Sequence, residues 1–293
     1  MGTKDITEKN LEALNDVFAD IVNVLLFKGE RLVKEDELES DTTKSMFKAD
    51  GKIHEQERDV SKFWKHGEIR ISILGIENQT AQDVDMPLRV ISYDGASYKQ
   101  ELLKDGTHRY PVVTIVLYFG TNEKWPAPKS LYECFSVPKK LKPFVSNYKI
   151  NVFNIAWLSD KTIDMFTSDF KLVAKYFQTK RLHKRYEGSK ERLQHANETL
   201  KMFSALTGDD SFEKVYNENN FREKGGVTMC DVVEQIRNEG RAEGRTEGRF
   251  EGKEEIIRNL IESNAGSIEQ IAAWVKLPVE DVKKIAEKVP VMN

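Results

Sequence analysis

Residues 67–80 read GEIRISILGIENQT, and their alternation decides the fold class. Ile69, Ile71 and Ile73 fall on one side of an extended chain, and Gly75, Glu77 and Gln79 continue that side. Side chains two apart share a face, so this β-branched run predicts a strand that ends in a carboxylate and a carboxamide. An unpaired carboxylate at the end of a buried strand is costly, and a divalent cation would relieve the cost. Asp59, eighteen residues upstream on the preceding strand or its edge, is expected to meet Glu77 across a hairpin. Two carboxylates with a backbone carbonyl and waters form the oxygen-rich set that Mg2+ prefers. Spacing alone suits surface carboxylates at strand ends equally well.

Outward from this strand the pattern is mixed. Residues 9–27 (KNLEALNDVFADIVNVLLF) place Leu11, Leu14, Phe18, Ile21, Val22, Leu25 and Leu26 at helical spacing, with Gly29 as a stop. Asp50-Gly51 marks a turn before GKIHEQERDVSKFW, the segment that carries Asp59. Residues 86–103 (MPLRVISYDGASYKQELL) read as a helix with Pro87 in its first turn. YPVVTIVLYFG, residues 110–120, is a near-continuous apolar run of the kind found in strands covered on both faces. KINVFNIAWL, residues 149–158, is a further strand candidate. From Asp160 onward strands disappear, and Ser168 is placed to cap a helix running through Lys171, Lys175 and Arg181. The chain therefore reads as an α/β core with a C-terminal helical extension.

The tail has its own grammar. Gly240, Gly244, Gly248 and Gly252 recur every four residues, each between a Glu and an Arg or Lys. Each glycine costs a helix about 1 kcal/mol relative to alanine, so a lone helix here is marginal. Opposed acidic and basic stripes around a smooth glycine stripe suit a neighbouring copy of the chain; a flexible solvated linker is the alternative. Ser267-Ile-Glu-Gln270 is a capping box leading Ile268, Ile271, Ala272 and Val275. Pro278 opens a second short helix with Val282, Ile285, Ala286 and Val289. Glu280 and Asp281 at its start would repel phosphate, which favours a packing or dimerisation module over a helix-turn-helix reader. Three segments result: an α/β domain over 10–205, a connector over 206–253 and a helical module over 254–293.

Charge is partitioned rather than balanced. The net of −3 conceals 15 acids against 9 bases in residues 1–59, 8 bases against 2 acids in 171–192, and 5 against 1 in 129–149. An acidic front and basic stretches fit a protein that binds cations in one place and an anionic polymer in another, although solvated helix faces give the same pattern. The sequence pI near 6.1 argues against a purely electrostatic nucleic-acid binder unless a metal is bound. The two cysteines cannot build a disulfide framework or a four-ligand zinc site, and the five histidines show no metal spacing. No apolar run approaches the roughly 20 residues of a membrane span. With no apolar stretch near the start, a cytoplasmic protein is expected, nucleoid-associated when bound to DNA.

Read together, Arg58-Asp59, Ile73-Leu-Gly-Ile-Glu77-Asn-Gln79-Thr80, Asp85-Met-Pro-Leu-Arg89, Tyr93 and the run from Tyr110 to Gly120 resemble the Rpn family. These are recombination-promoting nucleases, also called YhgA-like putative transposases, of the PD-(D/E)XK superfamily. The resemblance runs over most of residues 10–205, and the EGR array resembles the tail often found there. It implies a PD-(D/E)XK-type core, a central mixed sheet flanked by helices, with Asp59 and Glu77 as metal ligands. Gln79 stands where the wider superfamily has lysine, and it cannot titrate or carry charge, so its implied role is to position water or a phosphate oxygen by hydrogen bonding. Asp20 is the implied acid of the first helix, with Asp16 an alternative four residues earlier. The implied activity is an endonuclease with Mg2+, or Mn2+, that hydrolyses phosphodiesters of DNA to 5′ phosphate and 3′ hydroxyl ends. Recombination, mobile elements or defence of a prokaryotic genome is the implied setting. Arg89 and Tyr93, four apart on the following helix, either support the site or make ordinary core contacts. Lys171, Lys175, Lys180, Arg181, Lys184 and Arg185 are expected to hold the DNA backbone, and the tail to form a homodimer. A non-catalytic, oligomeric DNA-binding or regulatory protein that keeps the fold is the competing expectation.

Overall fold

The computed structural model describes residues 11–41, 44–49, 52–57, 60–76, 83–105, 109–218 and 226–287. Asp50-Gly51 and Val289 lie outside these residues. The chain divides into two compact units, Met1–Val233 and Glu234–Asn293.

The first unit is built on a mixed five-stranded sheet. Its strands are β1 (Leu38–Ser40), β4 (Val60–Trp64), β5 (Ile69–Ile76), β6 (Val112–Tyr118) and β7 (Asn151–Asn154), in the order β1-β4-β5-β6-β7. β1, β4 and β5 pair antiparallel, with Val60 opposite Ile73 and Lys62 opposite Ile71. β5, β6 and β7 pair parallel, with Ile73 opposite Ile115 and Ile115 opposite Asn151. A separate hairpin joins β2 (Lys44–Ala49) to β3 (Lys52–Glu57). Helix α2 (Met86–Leu102) makes the crossover from β5 to β6 that a parallel pair requires. This is the α/β architecture that the alternating and apolar runs predict.

Each face of the sheet has its own helix. Leu74 and Val116 pack with Met86, Val90 and Tyr93 of α2 and with Tyr118, Trp125 and Ile150. Lys62 shares its face with Ile71, and its Nζ reaches Asn15 and the Phe18 ring of α1 (Asn15–Leu25), so this face lies under α1. Val17, Phe18, Ile21 and Val22 of α1 are wholly buried, as their spacing demands. The first helix ends at Leu25, ahead of Gly29, whose N–H bonds the Asn23 carbonyl at 2.9 Å; Gly29 holds φ +93°, and a Cβ there would stand 3.0 Å from Met165 Sδ.

Two local expectations are corrected. β7 stops at Asn154, where the chain turns into a 3-10 helix over Ile155–Trp157, and Asn154 Oδ1 takes the Trp125 backbone N–H at 2.6 Å. Ser168 does not occupy the cap of α5 (Phe170–Arg181); Asp169 does. The Ser168 hydroxyl donates to Asp20 Oδ2 at 2.6 Å, a bond strengthened by the ionised acceptor, while its oxygen accepts the Phe170 N–H at 3.4 Å. The even-numbered side chains of β5 are buried as well: Ser72 shares its hydroxyl with Ser61 at 3.0 Å, and Arg70 pairs with Asp41 and with Glu101 at 2.7 Å.

Beyond β7 the first unit is helical, with α3 (Leu131–Cys134) before that strand and α4 (Asp160–Ile163), α5, α6 (Ala196–Thr207) and α7 (Ser211–Glu218) after it. Helix α8 (Met229–Glu262) runs unbroken through the glycine array, so a flexible linker is replaced by helix. A Cβ built at Gly240, Gly244, Gly248 or Gly252 meets nothing within 4 Å. In the second unit, α9 (Ile268–Val275) begins with the expected capping box, and α10 (Val279–Ala286) follows Pro278. Ile257, Ile271, Ala272, Val275, Val282 and Ile285 form its core.

Candidate functional site

Asp59, Glu77 and Gln79 lie outside the described residues. The flanking chain is described on both sides: β4 starts at Val60, next after Asp59, and β5 ends at Ile76, next before Glu77. The two strands that adjoin the candidate ligands are therefore hydrogen-bonded neighbours at the middle of the sheet. Among the described residues, no group of three or more His, Cys, Asp or Glu side chains gathers to hold a metal. Likewise among them, no helix is long and apolar enough to cross a membrane.

Asp20 is almost fully buried and heavily engaged. It pairs with Arg31 and accepts the backbone N–H groups of Thr167 at 2.9 Å and Ser168 at 2.8 Å, together with both their hydroxyls. The carboxylate thus ties α1 to the turn that starts α5. Nothing in the local sequence announces this, since the partners lie 147 and 148 residues away. Asp16, one turn earlier, is half-buried and stands 2.7 Å from His195 Nε2. It has fewer bonds than Asp20.

Lys62 is a residue that sequence reading missed. It is 2% exposed on β4, three residues after Asp59, with its Nζ 2.6 Å from Asn15 Oδ1. Burial holds its ammonium below the ordinary lysine range. An internal lysine in the strand that follows a candidate metal ligand is the signal that could have found it.

Arg89 and Tyr93 do come together, with Nη2 3.4 Å from the phenol oxygen, and Arg89 also pairs with Asp83. Burial works against the Arg89 cation, but the bonds to Tyr93 and Asp83 outweigh it and raise the pKa. Tyr93 packs on the Leu74 face, so the sheet separates it from the face shared by Ile71 and Ile73.

Most of the basic stretch has partners within the chain. Lys175 lies 2.8 Å from Asp160, whose carboxyl is held below its usual range first by that hydrogen bond. Lys171 lies 3.9 Å from Asp164, and Arg185 lies 3.2 Å from Glu187. Arg181 donates to the Ala156 carbonyl at 2.7 Å and stacks over Trp157. Lys180 and Lys184 are exposed. Tyr176 and Tyr186 do not stand free to stack on bases; they meet each other and Phe203 edge-on or tilted in the helical core. Trp64 and Trp125 are buried, and Trp157 is a rim residue.

Comparison with known proteins gives no match among curated proteins and none among solved structures. A family model does match, from the last residue of β4 into α6. That interval includes Glu77, Gln79, Arg89, Tyr93 and the basic stretch, and it begins after Asp59 and the first helix. Residues 64–206 match the model of the family described as Putative transposase, YhgA-like.

Proposed function

We propose that the protein is a metal-dependent DNA endonuclease, with Asp59 and Glu77 as the cation ligands and Gln79 beside them. The observation that carries this reading is the direct pairing of β4 with β5, the strands adjoining the two acids, with β5 and Glu77 inside the stretch that matches a putative transposase family. Two carboxylates and a carboxamide are hard oxygen donors, a set that fits Mg2+ or Mn2+ and not a thiolate-seeking metal. A bound Mg2+ supplies Lewis acidity at a phosphate oxygen and a lower pKa for a water. Asp59 and Glu77 contribute the negative charge that draws such a cation. Gln79 donates an amide hydrogen bond to a phosphate oxygen, or accepts one from the attacking water. Its neutrality leaves the phosphate charge to be met by the cation and by basic side chains.

The register imposes a condition. Val60 and Ile73 share a face, so unbroken alternation would carry residues 59 and 77 to opposite faces. The reading requires one departure from alternation at the junction with Asp59 or with Glu77, such as a β-bulge. The tail, with its helical EGR array, completes the proposal as a homodimerisation element.

Plasmid nicking decides the matter. Wild type is expected to nick with Mg2+ or Mn2+ and not with Ca2+ or EDTA, and Asp59→Ala and Glu77→Ala are each expected to lose at least about a hundredfold in rate. Equal cleavage by either variant would remove that residue from the site. Salt-dependent DNA binding without cleavage under any metal would select the non-catalytic alternative.

A further inference from the structure

Between Glu133 and Asp160 the chain carries no carboxylate, yet it holds Lys139, Lys140, Lys142 and Lys149. Residues 135–146 (FSVPKKLKPFVS) leave the body of the first unit as a loop after α3. Lys139, Lys140 and Lys142 are exposed and form no ion pair among the described residues, unlike Lys171, Lys175 and Arg185. Phe144 is 83% exposed and Leu141 52%, an unusual setting for large apolar side chains on a basic loop.

The loop is preformed. The Tyr132 hydroxyl lies 2.8 Å from the Lys142 carbonyl and 2.7 Å from that of Val145. Asn147 Oδ1 takes the Tyr132 N–H at 3.0 Å, and the N–H groups of Leu141 and Phe144 close successive turns after Pro138. At the base, Tyr148 donates to Asp94 of α2, which also takes the Thr114 hydroxyl of β6 at 2.6 Å. A lysine group held on such a frame loses little conformational entropy when it meets a polyanion.

Its position matters as much as its charge. Cys134 Sγ lies 3.5 Å from the Val84 carbonyl, seven residues after Glu77 in the chain, and Cys134, Phe135 and Lys142 line one cleft. The loop therefore stands against the start of α2, on the side of the sheet where β5 ends. Three exposed lysines without ion pairs among the described residues, Lys142 lying 5.5 Å over the Tyr132 ring, stand beside an exposed aromatic and match the nucleic-acid backbone, with the Phe144 ring left to meet a base or sugar.

We infer that the 135–146 loop is the surface that grips duplex DNA next to the β5 end, through Lys139, Lys140, Lys142 and Phe144, while the 171–185 stretch is secondary. This rests on the nuclease reading for its choice of DNA.

The test uses the full chain and a fluorescein-labelled duplex in EDTA, with affinity read by anisotropy across a salt series. The triple variant K139Q/K140Q/K142Q is expected to weaken binding more than about tenfold near 0.1 M salt and to lower the salt slope by about 2 to 3. K139R/K140R/K142R is expected to restore both. Phe144→Ala is expected to weaken binding with the slope unchanged. K175Q/K180Q/K184Q is expected to change affinity less than threefold. A loop triple that binds like wild type while its circular dichroism is native would overturn the inference, as would absence of duplex binding by wild type. Tighter loop-dependent binding to phosphatidylserine vesicles than to the duplex would overturn the DNA assignment. Loop-dependent binding without Mg2+-dependent nicking would sink the nuclease reading and leave the grip standing, so the two failures are separable.

Discussion

At the scale of single residues, the bonds around Asp20 separate structural from chemical duty. A buried carboxylate that accepts two backbone N–H groups, two hydroxyls and an arginine has a structural reason to be where it is. Truncating it leaves Arg31 without its carboxylate and several donors unsatisfied, a loss of the class that costs about 3–5 kcal/mol. Asp20→Ala is therefore expected to lower the urea midpoint strongly, whereas Asp16→Ala, whose carboxylate faces only His195 and water, is expected to cost under about 1 kcal/mol. Equal and small effects of both would contradict this division. The sequence could place the two acids on one helix, four residues apart, because helical period is local information. It could not rank them, because what distinguishes them is a turn at residues 167–168 that only the tertiary fold brings near.

At the scale of elements, β5 shows where pattern reading succeeds and where it runs out. The Ile69, Ile71 and Ile73 alternation located the strand, and the apolar run located β6, since burial writes itself into hydrophobic period. The pattern does not announce that Arg70 and Ser72 are buried, because Asp41, Glu101 and Ser61 neutralise or satisfy them from other elements. The candidate ligands Asp59 and Glu77 stood out by family resemblance more than by spacing, since a carboxylate at a strand end has the same local pattern with or without a metal. Lys62 on β4 presents the same difficulty and yields a pH test. Burial holds its pKa below 10.5, so between the folded and unfolded values the unfolded chain binds more protons. Stability contributed by this site rises with pH across that window, and below it the charged form penalises the fold. Subtracting the Lys62→Met stability curve from that of wild type, measured by urea unfolding, is expected to leave a difference that climbs as pH rises toward 10.5. A flat or falling difference would mean that the ammonium is fully solvated or stabilised in place.

At the scale of the whole molecule, the division into two units lets the proposed association be tested apart from the α/β unit. Met229 and Val232, at the start of α8, are wholly buried in the first unit, and Cys230 N–H bonds the Ser189 carbonyl at 3.0 Å. A truncation should keep these and end after the unit closes. Past that point α8 presents Glu239, Glu243, Glu247 and Glu251 at successive four-residue steps, with Arg241, Arg245, Arg249 and Lys253 likewise. Like charges four apart repel on one helix by a few tenths of a kcal/mol per pair, and each glycine adds about 1 kcal/mol against helix, so an isolated helix of this sequence is poorly supported. In the proposed dimer a second antiparallel or parallel copy would supply opposite charge to each stripe, and the bare glycine positions would admit it closely. The chain ending at Gln235 is accordingly expected to run as a monomer in light scattering, with the thermal transition of the first unit shifted by no more than a few degrees, while the full chain has twice the monomer mass. The full-length variant G240A/G244A/G248A/G252A sharpens the test: alanine favours helix, so the helical signal should rise, but added methyl groups along the contact should weaken the dimer. Gain of helix with unchanged mass would show that the glycines are not at an interface, and a dimeric truncated chain would place the contact in the α/β unit instead.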